Sequence, residues 1–246
     1  MGRKRCGNVL QTKALPQARI AFWGRRTSVQ SDYIVRLSLR LMTEVNEASP
    51  SVFIPNEYDG RKPVPLVLAL HFAGRVTPYF GGEFLASFIR PALDGLGAII
   101  VAPDCTDSDW TRPRSEKDVL ELLDRVMKIY AIDRKRTLIT GYSMGGSGTW
   151  YLAARHQDLF PAALIMAGQP ESTTAKVNWK IPLYVIHSRA DQIIPFKPAE
   201  NAVEKLKKRG IDVQFVPLDG VTHYQVSGFF APLEAAVAWI GKAWQK

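Results

Sequence analysis

From Ser51 onward, short apolar runs alternate with longer segments whose apolar residues recur at helical spacing. No other feature constrains the fold as much. Repeats of strand, helix and strand at these lengths build a mostly parallel, doubly wound sheet with right-handed crossovers and helices on both faces. The predicted strands are residues 51–55, 64–72, 98–102, 137–140, 162–166, 183–187 and 213–217. Residues 64–72 are apolar almost throughout, as a strand covered on both faces must be. The predicted helices are residues 83–93, 115–130, 147–156, 198–209 and 233–244. In the second of these, Val119, Leu122, Leu123, Val126 and Ile129 share one face, with Ser115 as N-cap and Asp118 three residues on.

Within this pattern, Gly141-Tyr142-Ser143-Met144-Gly145 fits G-x-S-x-G between a buried strand and a helix. A serine there sits on a sharp turn, with its hydroxyl above the strand ends. Side chains at the two glycine positions would collide with neighbouring backbone. The following helix aims its free N–H groups and dipole at the reaction centre. The N–H of Met144 is the first oxyanion donor expected.

Four histidines compete for the role of base. His156 ends the helix after the serine and reads as a C-terminal cap. His71 and His187 end strands. His223 lies in the loop after the last strand and before the last helix, where the third member of a serine–acid–histidine set falls in this fold. For the acid, Asp191 follows the strand 183–187, and Asp219 lies four residues before His223. Asp191 is preferred because it ends a strand of its own, and the order Ser143, Asp191, His223 then follows. Asp104 and Asp107 read as turn residues. Cys105 reads as a free thiol at a strand end. The two cysteines, Cys6 and Cys105, form no disulfide framework and no zinc spacing, and no cofactor is expected.

These motifs are similar to those of the phospholipase/carboxylesterase and dienelactone-hydrolase-like branch of the α/β-hydrolases. The resemblance rests on Leu70-His71-Phe72-Ala73-Gly74, Gly141 to Gly146, Ala190-Asp191-Gln192-Ile193-Ile194-Pro195 and Thr222-His223, and it covers residues 51–246. Prolyl-oligopeptidase-type peptidases and feruloyl- or polyhydroxyalkanoate-cleaving esterases are relatives. The resemblance implies an α/β-hydrolase fold, a small-molecule ester substrate and an acyl-enzyme. It also implies a second oxyanion donor from Phe72 or Ala73. Members of this group usually carry His-Gly where this chain has His71-Phe72, and Phe72 restricts how closely that backbone approaches a substrate oxygen. Cap domains in this fold are often inserted where residues 168–180 leave no room for one, so an open site is expected. Trp110, Trp150 and Gln169 are the residues expected at its mouth. A peptidase and a non-catalytic binding domain of the same fold are the alternatives.

The net charge of +9 is concentrated at one end. Residues 1–41 hold nine Lys/Arg against Asp32 alone, while residues 42–246 balance 23 basic against 22 acidic residues. The body therefore lacks the charge footprint of a nucleic-acid binder. Residues 1–45 read as a basic extension to a catalytic domain over 46–246. The extension fits a transit-type leader, a segment preceding a true start at Met42, or an extra edge strand over the alternating run 33–41. It lacks the apolar core of a secretory signal, which favours a cytoplasmic location. No run of about 18 apolar residues occurs, so stable membrane insertion is not expected.

Overall fold

The computed structural model describes residues 34–35 and 50–245. Its strands are β1 (Ile34–Val35), β2 (Ser51–Phe53), β3 (Val64–Leu70), β4 (Ile99–Ala102), β5 (Ile132–Tyr142), β6 (Ala162–Met166), β7 (Leu183–Ser188) and β8 (Val213–Leu218). Among the described residues they form one eight-stranded sheet in the order β1-β2-β4-β3-β5-β6-β7-β8. The pairs β1/β2 and β2/β4 are antiparallel, and β4, β3 and β5 to β8 run parallel. The basic extension enters this sheet through β1. Cys6, Met42 and the rest of the run 33–41 lie outside the described residues.

The helices are α1 (Phe80–Phe84), α2 (Arg90–Leu93), α3 (Pro113–Ile129), α4 (Met144–Arg155), α5 (Phe196–Lys208) and α6 (Phe230–Ala243). The β3 strand shows why its apolar run is unbroken. Leu66, Leu68 and Leu70 pack into the core shared with α3, α4 and α5. Val67 and Ala69 pack into the core shared with α1, α2 and α6. Each such leucine contributes about 1.5–3 kcal/mol of burial. The result is the expected α/β-hydrolase architecture, a mostly parallel sheet with helices on both faces.

Several boundaries differ from the expectation, each for a physical reason. The α3 helix starts at Pro113 with Arg112 as N-cap, so Ser115 is not the cap. Proline is pre-set for the first helical position. Ser115 sits in the first turn and donates to the Asp109 carbonyl at 2.8 Å. The α4 helix begins at Met144, three residues early, because packing overrides the poor helix propensity of its glycines. The β5 strand has 11 residues, and its first half carries the polar run Asp133-Arg134-Lys135-Arg136, which a search for apolar runs misses. The α5 and α6 helices begin two and three residues before the expected 198 and 233. The predicted helix 83–93 is helical throughout, but a π-helical turn at Leu85–Ile89 joins α1 to α2. Between β6 and β7 the only regular element among the described residues is a 3-10 turn at Thr174–Lys176, so no cap is inserted there. No helix among the described residues is long and apolar enough to cross a membrane.

Strand order also locates the crevice. The β4 and β5 strands lie on opposite sides of β3, so the winding reverses at β3. Doubly wound sheets bind ligands at the carboxyl ends of strands flanking such a point. In register, Leu70 at the end of β3 lies opposite Gly141 in β5. Phe72 and Ser143 each follow their partner by two residues, so both emerge at that crevice.

Candidate active site

Ser143 joins β5 to α4 with φ 58° and ψ −116°, in the left-handed half of the backbone map. A non-glycine residue there stores about 1–3 kcal/mol of strain and persists only where the surroundings over-determine it. The Ser143 N–H donates to the Met166 carbonyl at 3.0 Å, and the Ser143 carbonyl accepts from the Ser147 N–H at 2.9 Å. The glycines allow the turn. A Cβ on Gly141 would overlap the Gly145 carbonyl, and one on Gly145 would overlap the Leu70 carbonyl. Gly145→Ala is therefore expected to push β3 from α4 and destabilise the protein by about 3 kcal/mol or more. Urea unfolding measures this, and a midpoint equal to the wild type would refute it.

The structure brings Ser143, His223 and Asp191 together, all less than a tenth exposed. Ser143 Oγ lies 2.8 Å from His223 Nε2. His223 Nδ1 lies 2.8 Å from Asp191 Oδ2. Asp191 Oδ1 accepts from the N–H groups of Ile193 at 2.9 Å and Ile194 at 2.8 Å. A carboxylate only accepts, so His223 carries its proton on Nδ1 and leaves Nε2 to accept from the serine hydroxyl. His187 braces this loop. It is fully buried, its Nε2 meets the Ile194 carbonyl at 2.9 Å, and burial holds its pKa below the usual value.

The other acids and histidines lie apart from this line. The Asp219 side chain is 85% exposed and sits 3.4 Å from Arg189. His156 caps α4, and its Nε2 meets Glu116 at 2.6 Å. Asp104 is more than a turn residue. Buried after β4, it accepts from the N–H groups of Tyr79 at 2.6 Å and Gly81 at 2.8 Å. It thereby clamps the segment that follows the loop after β3, including the left-handed Tyr79.

That loop is held by His71. Its Nδ1 faces the Phe72 carbonyl at 2.7 Å, and its Nε2 accepts from the Cys105 N–H at 3.0 Å. These partners require a neutral ring protonated on Nδ1, and burial lowers its pKa in keeping with that. The Phe72 ring packs edge-on against Phe80 and Phe84, and Ala73 is exposed. Met144 is the first residue of α4, a position whose N–H has no partner within its own helix. Burial pushes the Cys105 thiol pKa up, away from a reactive thiolate.

Two residues expected at the mouth belong to the core instead. Trp110 and Trp150 are each 1% exposed. The Trp110 indole donates to the His71 carbonyl at 2.9 Å, and Trp150 packs edge-on against Trp179. Bulk and apolarity pulled both under the surface, and Trp110 supports the loop after β3 from below. Gln169 is exposed, and its N–H donates to Ser147 Oγ at 2.9 Å, one side chain from the Ser143 carbonyl.

Two residues that the sequence reading did not single out complete the site. The buried Tyr142 hydroxyl donates to the His223 carbonyl. Burial first, and then the Asp191 charge, push its pKa up, so it stays a neutral donor. Gln192 Oε1 accepts from the His223 N–H at 3.1 Å. Tyr142 occupies the first variable position of G-x-S-x-G, the one hint the sequence offers. Among the described residues, no group of three or more His, Cys, Asp or Glu side chains is arranged to hold a metal ion.

Known proteins resemble this chain in sequence and in fold. "Probable feruloyl esterase C" of Aspergillus niger is 24% identical over 174 residues, which cover 66% of this chain and 62% of that protein. A thermostable esterase of known structure superposes with a TM-score of 0.68 at 24% identity, over 79% of this chain and 59% of its own. A ferulic acid esterase does so with a TM-score of 0.65 at 18% identity, over 80% and 93%. The chain thus spans about three fifths of the first two relatives. The model of the Dienelactone hydrolase family matches residues 105–243, a segment that carries Ser143, Asp191 and His223. With more than half its length matched over a fold and a serine–histidine–carboxylate line already in place, the chain belongs to the dienelactone hydrolase family.

Proposed function

We propose that this protein is a serine hydrolase of carboxylic esters that works through an acyl-enzyme. The observation that carries the reading is the unbroken line from Ser143 Oγ through His223 to Asp191, with 2.8 Å at each junction. Ser143 Oγ attacks the ester carbonyl as its proton passes to His223 Nε2. The carbonyl oxygen becomes an oxyanion, held by the N–H of Met144 and that of Phe72 or Ala73. The intermediate collapses, the bond to the alcohol oxygen breaks, and His223 returns its proton to the departing alcohol. A water then attacks the acyl-enzyme, losing a proton to His223. The acid is released as that proton returns to Ser143. Asp191 holds the imidazole tautomer throughout.

The short connection between β6 and β7 leaves the mouth uncapped, which suits a substrate whose ester is carried on a larger body. The name of the Aspergillus niger relative, a feruloyl esterase, adds a substrate class to the proposal, the ester of an aromatic acid. Tyr224, 74% exposed beside the His223 ring, offers an aromatic surface at the mouth. The test is a panel of aryl-acyl esters, short-chain esters and peptides, run beside labelling with a fluorophosphonate probe. Turnover of esters and labelling of the wild type but not of Ser143→Ala are expected. A wild type that is unlabelled, or that cleaves peptides in preference to every ester, overturns the reading.

A further inference from the structure

His223 sits in a turn whose own backbone bonds are internal. The Gln225 N–H donates to the Thr222 carbonyl at 3.1 Å, the Gly228 N–H to the Gln225 carbonyl at 2.9 Å, and Gln225 Oε1 accepts from the Thr222 N–H at 2.8 Å. Such a turn keeps its shape without keeping its place. Val221, Val226 and Phe229 pack its ends against the core, and two distant residues bond the His223 main chain itself. On one side the Tyr142 hydroxyl donates to the His223 carbonyl across 81 residues of sequence. On the other, Gln192 Oε1 accepts from the His223 N–H across 31 residues. Tyr142 immediately precedes Ser143, and Gln192 immediately follows Asp191.

We infer that Tyr142 and Gln192 are positioning residues that pin the general base from both sides, so that one geometry sets the serine–histidine and histidine–aspartate distances together. This inference rests on the hydrolase reading above. The Tyr142 ring is itself immobilised, 2% exposed, edge-on to Phe229 with centroids 5.1 Å apart, and tilted against the His223 imidazole at 5.5 Å. Both hydrogen bonds go to the His223 main chain and not to its imidazole nitrogens. Their effect is exerted through the placement of Nε2, where a displacement of about 1 Å costs on the order of 100-fold in rate.

The experiment compares Tyr142→Phe, Gln192→Ala, Gln192→Glu and the double variant Tyr142→Phe/Gln192→Ala on a p-nitrophenyl ester, with thermal midpoints taken alongside. Each of the first two is expected to lower kcat about 10-fold with KM nearly unchanged, since each leaves one polar group of His223 without its partner. The double variant is expected to lose about 100-fold or more. Gln192→Glu keeps an acceptor of the same reach and is expected to recover most of the activity. A role confined to stability would move the midpoint and leave kcat intact in the folded protein. Wild-type kcat in the Gln192→Ala and double variants overturns the inference, as does an effect on KM alone or a Gln192→Glu as impaired as Gln192→Ala. Gln192 is exposed, so its two variants decide the matter even if Tyr142→Phe fails to fold. Unaffected variants of an active wild type refute the pins alone. An inactive, unlabelled wild type refutes the hydrolase reading and the pins with it.

Discussion

Replacing Ser143 by alanine is expected to lower ester turnover by about a million-fold and to leave the fold intact. The loss is large because the oxygen that bonds to the acyl group is gone. The residual rate comes from substrate binding and the oxyanion donors, and it is still about 10³–10⁴-fold above water. The fold survives because the strained backbone at φ 58° is held by main-chain bonds. The Met166 carbonyl and the Ser147 N–H keep their partners whatever side chain residue 143 carries. Alanine pays a strain close to that of serine, so a thermal midpoint within a few degrees of the wild type is expected. Single-turnover kinetics with a p-nitrophenyl ester would measure the loss. Turnover within about tenfold of the wild type would show that another group is the nucleophile.

How much of this site was legible in the sequence follows from how each part is encoded. The strands that cross the core were readable because burial on both faces demands an unbroken apolar run, as in Leu66 to Leu70. The elbow was readable because backbone crowding leaves only glycine at 141 and 145. The start of α4 was not. Gly145, Gly146 and Gly148 argue locally against a helix, and only their contacts with other elements explain why one forms there. Trp110 and Trp150 misled for the opposite reason, since an aromatic residue near a crevice reads the same whether it faces the mouth or the core. Tyr142, Gln192 and Asp104 act through bonds to backbone groups 23 to 81 residues away. No local spacing announces a bond of that kind. The choice between Asp191 and Asp219 belongs here too. Both follow neighbouring strands, paired through Ser188 and Leu218, and only side-chain direction separates them.

That direction leads to a sharp expected result for Asp191→Asn, a fall in kcat of about 10⁴-fold with the fold preserved. The argument turns on which end of the amide faces His223. Asp191 Oδ1 accepts from two backbone N–H groups, those of Ile193 and Ile194. In the asparagine variant only the amide oxygen can accept them, so it takes the Oδ1 place. The amide nitrogen then takes the place of Oδ2, 2.8 Å from His223 Nδ1. Its N–H groups point at a ring nitrogen that needs an acceptor, and the imidazole responds by moving its proton to Nε2. A proton on Nε2 faces Ser143 Oγ with a donor where the mechanism needs a lone pair, so the serine proton has nowhere to go. Shape and volume hardly change, and the thermal midpoint should stay close to the wild type. Asp219→Asn is the control. Its carboxylate faces solvent and Arg189, so turnover should stay within about twofold of the wild type. If instead Asp219→Asn abolished turnover and Asp191→Asn spared it, the orienting carboxylate would be the one four residues before His223, and the loop after β8 would have to fold back on itself in the working enzyme.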